Sequence, residues 1–260
     1  MKYLIILIIA MSSINAQRIK LATLAPKNSA WYDVLDEYAK EVEKLTGGKV
    51  EFKIYDSGRM GNESTALSKI RLGQLHAGAF IGPGLGQIVP AIRVLDLPFL
   101  FQNDAEVDHV LDNTFQYFQD EFAKKDFHFL AWAGAGFANI YSSEPIRNYD
   151  DLKKTKLVKL ENDPLIDLTF EALDLDGIPD HLINVLTSLS TGRVNTTYAP
   201  PLGAVSLQWF KYEKYMIDVN FVYAAGAVII SNSIWDKIKP EHQKIMNDQA
   251  KIYFAKFRQV

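Results

Sequence analysis

Hydrophobic residues along the chain follow two spacings, one typical of strands and one typical of helices. In 18–24, apolar side chains recur at every second position, which predicts a strand. In 31–45 they recur every three or four positions, which predicts an amphipathic helix that ends before Gly47. Strict alternation returns in 50–54. A strand, a helix and a second strand in this order favour a parallel sheet, and therefore an α/β fold.

The rest of the chain divides in the same way into short strands and helices. We expect strands at 76–81, 127–132, 140–142, 156–160 and 221–230, and helices at 62–74, 107–122, 150–154, 165–173, 182–189, 204–215 and 234–257. The segment 177–179 contains glycine and proline and is predicted to be a turn. A chain of 260 residues can form one large domain or two domains of ordinary size.

The amino terminus has a pattern of its own. Lys2 is followed by a nearly continuous apolar run up to Met11, and then by small and polar residues up to Ala16. A basic start, a short apolar core and a small residue at the end are typical of a cleaved signal peptide. We therefore predict that 1–16 is a signal peptide cut near Ala16 and that the product is periplasmic. The alternative is a buried amino-terminal strand or helix.

Composition and charge argue against several classes of function. The chain has 260 residues, a formal net charge of −3 and no cysteine, so we expect no nucleic-acid partner and no thiolate metal site. The five histidines are isolated from one another, and we predict no metal, no cofactor and no enzymatic activity. The glycines of 82–86 superficially echo a phosphate-binding loop, but Pro83 interrupts them. We interpret this segment as a loop in which glycine lets the backbone come close to another group.

Three motifs carry a resemblance to a known family. They are the run DLPFLF in 96–101, Pro145-Ile146 followed by Asp151-Leu152-Lys153 and Lys156-Leu157, and finally Leu189, Thr191, Gly192 and Val194. They resemble motifs of the substrate-binding proteins of TRAP transporters, the tripartite ATP-independent periplasmic carriers. The resemblance runs from about Arg18 to the carboxyl terminus.

This resemblance implies an α/β fold with two lobes, of the type II-like periplasmic-binding-protein class. Mixed sheets flanked by helices would form the lobes, and the cleft between them would close around a ligand. We expect lobe one to comprise 17–135 plus 217–245, and lobe two to comprise 136–216 plus 246–260. Family members usually run some tens of residues further than position 260, so lobe two is expected to be either naturally short or truncated.

Two positions depart from the family. The arginine that clamps a carboxylate ligand in most members falls at Val158, and a second, frequent arginine falls at Ala138. Arginine binds a carboxylate through two parallel hydrogen bonds, and a buried carboxylate without such a partner is strongly disfavoured. We therefore expect an apolar or weakly polar ligand. The sequence looks most like an arginine-less branch whose members work with a periplasmic tetratricopeptide-repeat partner.

The predicted function is a periplasmic receptor that captures its ligand by lobe closure and delivers it to a TRAP-type membrane permease. The candidate ligand-binding residues, taken from both lobes, are Trp31, Glu63, Phe80, Gly82, Phe137, Val158, Tyr198 and Pro200. Core packing is the alternative for Trp31, and a carboxylate at a helix amino terminus is the alternative for Glu63.

Three other functions stay open. The first is a carrier of lipids or other hydrophobic ligands that feeds no permease. The second is an organic-acid receptor of the usual family kind, in which Arg59, Arg71 or Lys159 replaces the clamp arginine. The third is a periplasmic enzyme built on the same lobes. A neighbouring permease gene would favour the receptor over the carrier, and turnover of the ligand would favour the enzyme.

Overall fold

The computed structural model describes residues 16–161 and 163–259, so the predicted signal peptide lies outside it except for Ala16. The strands are β1 (Gln17–Thr23), β2 (Val50–Tyr55), β3 (Ala77–Ile81), β4 (Phe127–Trp132), β5 (Gly136–Ser142), β6 (Leu157–Leu160), β7 (Gly177–Asp180), β8 (Thr196–Ala199), β9 (Tyr215–Ala224) and β10 (Gly226–Ser231). They form two five-stranded sheets with the orders β2-β1-β3-β10-β4 and β7-β6-β8-β5-β9. Both sheets are mixed, because each combines parallel and antiparallel pairs.

Helices cover these sheets. They are α1 (Ala30–Leu45), α2 (Glu63–Arg71), α3 (Gly82–Gly86), α4 (Asp104–Ala123), α5 (Tyr149–Lys153), α6 (Pro164–Ala172), α7 (Val185–Ser190), α8 (Pro201–Ser206), α9 (Asn232–Trp235) and α10 (Pro240–Phe254). Short 3-10 segments lie at Pro90–Asp96, Leu182–Asn184, Trp209–Lys211 and Ala255–Gln259. Among the described residues, no helix combines the length and the apolar character needed to cross a membrane.

We define lobe one by the first sheet and lobe two by the second. The chain passes from β4 to β5 through Ala133–Ala135 and returns from β9 to β10 through Ala225. At this crossing, the Ala133 N–H donates to the Gly226 carbonyl at 2.7 Å, and the Ala135 N–H donates to the Ala224 carbonyl at 2.9 Å. A side chain at Gly226 would stand 2.3 Å from the Ala133 carbonyl oxygen, so only glycine allows this close approach.

The motif DLPFLF anchors lobe one to the returning segment. The Ala225 N–H donates to Asp96 Oδ1 at 3.0 Å, and the Phe99 N–H donates to the Phe221 carbonyl at 2.7 Å. Phe101 at the end of the motif is buried in the core of lobe one, as is Leu95 immediately before the motif. The motif therefore serves both the core and the connection between the lobes.

Several boundaries differ from the sequence prediction. The expected strand 221–230 is two strands in different sheets, β9 and β10, separated at Ala225. The expected turn at 177–179 is part of β7, which pairs in parallel with β6. Proline is tolerated there because β7 is an edge strand. The expected helix 204–215 stops at Ser206, and Tyr215 already belongs to β9.

The carboxyl-terminal helix packs on a different lobe from the one expected. We expected 246–260 in lobe two, but Met246, Ala250 and Phe254 of α10 are buried in a cluster with residues of the first sheet. The Tyr38 ring of α1 contacts Phe254 with the ring centroids 4.9 Å apart, and its hydroxyl donates to the Met246 carbonyl. In addition, 217–224 belongs to β9 of lobe two, although it was expected in lobe one.

Candidate ligand-binding site

A cavity of about 180 Å³ lies between the lobes. Side chains from both lobes and from the crossing segments line it, and most of them are apolar, including Leu24, Trp31, Leu160, Leu207, Val222 and Phe257. For scale, an engineered apolar cavity of about 150 Å³ in another protein binds benzene. The cavity therefore suits a small molecule with an apolar body.

The polar part of the cavity is a cluster of charged groups around one arginine. Arg93 Nη1 donates to Asp96 Oδ2, and Arg93 Nη2 donates to Asp163 Oδ2 at 2.6 Å. The Arg93 and Asp163 side chains are only 17% and 2% exposed, so water screens this contact weakly. Arg93 and Asp96 belong to lobe one, whereas Asp163 belongs to lobe two. The ion pairs therefore join the two walls of the cavity.

Local structure positions each of these side chains. Arg93 and Asp96 lie three residues apart in the 3-10 segment Pro90–Asp96, where side chains at this spacing eclipse one another. Asp163 is the N-cap of α6, and its Oδ1 accepts from the Leu165 N–H at 3.1 Å. The other oxygen of the same carboxylate is the one that contacts Arg93. Asp163 is therefore fixed by its cap while it faces the cavity.

The three glycines of α3 provide the space that this cluster occupies. A Cβ at Gly82 would stand 1.7 Å from Asp96 Oδ2, and a Cβ at Gly86 would stand 2.6 Å from Arg93 Cδ. A Cβ at Gly84 would stand 2.5 Å from Glu63 Oε2. The glycine-rich segment that superficially echoes a phosphate loop is thus a surface on which Arg93, Asp96 and Glu63 pack.

Burial changes the acidity of this cluster. Burial raises the pKa of Glu63 to about 8, although the N–H groups of Ile81 and Gly84 donate to its carboxylate at 2.8 and 2.9 Å and oppose the shift. Burial also raises the pKa of Asp96 to about 7, opposed by Arg93 and by the Ala225 N–H. Burial therefore favours the neutral form of both carboxyls, whereas Arg93 and the backbone N–H groups favour the carboxylate form.

Tyr198 approaches the cavity from the second sheet. Its hydroxyl accepts from the Leu160 N–H at 3.4 Å, and burial raises the pKa of the phenol above its ordinary value. The phenol is therefore neutral at physiological pH. It can donate a hydrogen bond to a bound molecule.

The structure brings most of the predicted site residues together. The residues Trp31, Glu63, Phe80, Gly82, Tyr198 and Pro200 all line the cavity. The other two predicted residues lie elsewhere. The Phe137 ring packs edge-on against Tyr223, and Val158 is 1% exposed in a cluster with Trp209. Of the two positions that are often arginine in the family, only Ala138 lines the cavity.

The three predicted substitutes for the clamp arginine lie outside the cavity. Arg59 pairs with Asp56, Arg71 is exposed on α2, and Lys159 pairs with Asp167 at 2.8 Å. Sequence reasoning missed Arg93 altogether. A signal was present, because Arg93 is the one charged residue between Ile88 and Leu95 and precedes the motif aspartate by three positions.

Comparisons with known proteins agree with this architecture. The family model described as bacterial extracellular solute-binding protein, family 7, matches residues 21–259. A solute-binding protein of Verminephrobacter eiseniae is 29% identical over 240 residues, which cover 91% of this chain and 70% of that protein. A solute-binding protein of Chromohalobacter salexigens is 26% identical over 83% of this chain, and the match covers 65% of its length. This chain thus spans about two thirds of these relatives.

Solved structures show the same fold. A TRAP periplasmic solute-binding protein of Xanthobacter autotrophicus with bound β-D-galacturonate superimposes with a TM-score of 0.87 at 24% identity, over 93% of this chain and 81% of that one. A corresponding protein of Sulfurospirillum deleyianum with bound succinate gives a TM-score of 0.85 at 23% identity, over 94% and 79% of the two chains. The predicted two-lobe, type II-like periplasmic-binding-protein fold is therefore confirmed.

Proposed function

Because the chain belongs to the bacterial extracellular solute-binding protein family 7, we propose that it is the receptor for a small organic acid with a largely apolar body. As a TRAP periplasmic solute-binding protein it is a receptor and not an enzyme, as predicted. The ligand binds between the lobes and is delivered to a TRAP-type permease. The observation that carries the choice of an acid is the half-buried guanidinium of Arg93 in the cavity.

Arg93 indicates the charge of the ligand. Among the described residues that line the cavity, Arg93 is the one basic side chain. Its planar group has five N–H donors, of which Asp96 and Asp163 each engage one, so the fork has further donors for a carboxylate. The similar proteins of known structure bind β-D-galacturonate, succinate and D-glucuronate, which are all carboxylates.

The remaining lining of the cavity indicates that the body of the ligand is apolar. Trp31, Leu160 and Val222 present no hydrogen-bonding group to a ligand except the indole N–H. A sugar acid would bury several hydroxyl groups against such a wall, and each unpaired hydroxyl would weaken binding by roughly 1–3 kcal/mol. A monocarboxylic acid with a body on the order of six to ten non-hydrogen atoms fits this volume and this lining better.

A neutral apolar ligand is the second candidate. It is favoured by the two carboxylates that already engage Arg93, and by Ala138, which lines the cavity where the family often has arginine. A carrier without a permease and a tetratricopeptide-repeat partner both stay predictions from the resemblance. The signal peptide cut near Ala16 also stays a prediction, while the family itself is periplasmic.

Calorimetry with matched pairs of compounds separates the two candidates. Each pair has one carbon skeleton, as in hexanoate with hexanamide or benzoate with benzamide, and succinate tests a second carboxylate. If the acid is the ligand, we expect at least a tenfold tighter binding of the acid than of its amide, which corresponds to about 1.4 kcal/mol. Equal affinities within each pair would instead establish the neutral ligand.

The variant Arg93→Lys tests the role of the guanidinium. Lysine keeps the positive charge but loses the planar fork, so we expect the acid to bind at least tenfold more weakly. Arg59→Lys is the matched control, because Arg59 also pairs with an aspartate three residues away but is 66% exposed and lies outside the cavity. A loss of acid binding in both variants, or in neither, would contradict the proposal.

A further inference from the structure

We propose that the Phe257 ring limits the length of the ligand, so that the receptor selects linear monocarboxylates by their number of carbon atoms. This inference rests on the proposed function, because it takes Arg93 as the partner of the ligand carboxylate. Phe257 lies on the 3-10 segment Ala255–Gln259 and lines the cavity. It packs on lobe one, although 246–260 was expected in lobe two.

Arg93 and Phe257 lie on opposite faces of the first sheet. In β10, Ile229 belongs to one apolar cluster and Val228 to the other, and successive residues of a strand point to opposite faces. Arg93 follows Ile92, which is buried in the cluster of Ile229. Phe257 packs against the cluster of Val228, on the face that α1 and α10 cover. The sheet therefore separates the guanidinium from the aromatic ring.

The ends of two parallel strands lie between these faces. Strand β1 ends at Thr23 and β3 ends at Ile81, and both residues line the cavity. In open α/β sheets, ligands commonly bind outside the carboxyl ends of the strands. In the proposed mode, the carboxylate binds Arg93 and the body crosses the strand ends to the Phe257 ring. All four residues belong to lobe one, so their arrangement does not depend on the position of lobe two.

The core of lobe one holds the Phe257 ring in place. The ring is stacked on Phe254 with the centroids 5.7 Å apart, and Phe254 contacts the buried ring of Tyr38 at 4.9 Å. Beside it, the Lys256 ammonium donates to Glu37 of α1. Packed interiors resist the insertion of extra atoms, so a ligand that is too long cannot displace the ring without a free-energy cost. Phe257 therefore sets an upper limit on ligand length.

Calorimetry with linear acids from butanoate to dodecanoate measures this limit. In the natural chain, we expect affinity to rise about fourfold with each methylene that still fits, and to fall beyond an optimum length. Phe257→Ala removes about six carbon atoms of the wall, so we expect its optimum acid to be longer by about two to four carbon atoms. Phe257→Leu should shift the optimum less in the same direction, and Phe257→Trp should shorten it.

Tyr253→Ala is the matched control. Tyr253 lies on α10, and its ring also contacts Tyr38, with the centroids 6.5 Å apart, but it does not line the cavity. We expect the optimum length to be the same in this variant as in the natural chain. Thermal melting checks that each variant folds, and the Phe257→Leu and Phe257→Trp variants decide the question if Phe257→Ala does not. An optimum that stays fixed in the Phe257 variants, or that moves as far in Tyr253→Ala, would overturn the length limit.

Amides of the same chain lengths separate this inference from the proposed function. If the amides bind as tightly as the acids and their optimum lengthens in Phe257→Ala, the length limit stands and the proposed acid fails. If the acids bind more tightly but their optimum does not move, the proposed acid stands and the length limit fails. Binding of neither series to the natural chain would contradict both.

Discussion

The two lobes share a five-stranded mixed sheet, but their interiors differ. Lobe one buries its sheet under two large apolar clusters, whereas the cluster of lobe two has six buried members. All buried polar side-chain atoms without a hydrogen-bond partner among the described residues lie in lobe two, on Tyr141, Thr197, Trp209 and Glu213. Unpaired buried polar groups and a small core both lower stability. We therefore expect lobe two to be the less stable part of the receptor.

Two buried glutamates express this difference most clearly. Glu63 in lobe one accepts two backbone N–H groups and thereby fixes the corner between β3 and α3. Glu213 in lobe two lies beside Thr197, whose hydroxyl and N–H lower its pKa, but no contact to either of its carboxylate oxygens reaches ordinary hydrogen-bond geometry. A buried glutamate therefore helps to hold the site together in lobe one, whereas a buried glutamate in lobe two lowers stability.

The largest expected effect concerns Val158, where most of the family has arginine. Val158→Arg would bury a charge in the small cluster with Trp209, so we expect a loss of about 4 kcal/mol in the free energy of unfolding and no gain in acid binding. Urea unfolding measures the first effect and calorimetry the second. Val219→Arg on exposed β9 is the control and should be nearly neutral. A stable Val158→Arg variant that binds acids tightly would show that this position reaches the ligand.

A second comparison uses the glycines that line the cavity from each lobe. In lobe one, Gly82→Ala would place a Cβ 1.7 Å from Asp96 Oδ2 and 2.1 Å from Arg93 Nη1. We expect it to lower stability by about 2 kcal/mol and to weaken acid binding at least tenfold, since the arginine must shift. In lobe two, Gly203→Ala would meet Trp31 at 3.2 Å, and we expect a smaller effect. Urea unfolding measures the stability of both variants, and calorimetry measures their acid binding. Larger losses in Gly203→Ala than in Gly82→Ala would contradict the prediction.

Sequence patterns predicted the fold correctly where the spacing of apolar residues identifies a single strand or helix. The parallel pair β1 and β2 follows from the alternation and helix around them, and this prediction is confirmed. The crossing at Ala225 was missed because β9 and β10 both carry apolar side chains up to the break, so one strand and two strands look alike. Helix α10 was misassigned because periodicity shows which face of a helix is buried, but not the partner against which it packs.

The site was predictable only in part, for a related reason. Tyr198 stood out as a bulky residue in a polar loop between glycine and proline breaks, and Trp31 as an aromatic residue on the apolar face of the first predicted helix. Arg93 did not, because it belongs to a 3-10 segment, which is too short to show a period, and because the resemblance pointed to Val158 and Ala138. Its partner Asp163 is 70 residues away in sequence. A contact of that kind is set by how two lobes meet, and no local pattern contains it.

The two glutamates predict opposite responses to one substitution. Burial raises the pKa of Glu213 from its ordinary 4.5 to about 7, so the folded state holds this proton more tightly than the unfolded state. Its contribution to stability is therefore lost as pH rises from 4.5 to 7. Glu213→Gln avoids this loss, and we expect a gain of about 2 kcal/mol at pH 8 that vanishes near pH 4.5. Urea unfolding at several pH values measures it.

Glu63→Gln should destabilise the protein at pH 8. Glutamine has one acceptor oxygen, so one of the two N–H groups, of Ile81 or Gly84, would face an amide NH₂ instead. We expect a loss of about 1–2 kcal/mol, even though the burial of a charge is relieved. If both variants changed stability in the same direction, hydrogen bonding would not be what distinguishes the two glutamates.

The smallest expected effect is at Lys159, a basic residue predicted from the sequence as a substitute for the clamp arginine. Lys159 pairs with Asp167, whose side chain is 58% exposed, and water screens such a pair. We expect Lys159→Gln to change stability by less than about 0.5 kcal/mol and to leave acid binding unaltered. Calorimetry beside Arg93→Lys makes the contrast direct, since both variants alter a basic residue that is paired with a lobe-two aspartate. A tenfold loss of acid binding in Lys159→Gln would show that Lys159 of lobe two, and not Arg93 of lobe one, binds the carboxylate of the ligand.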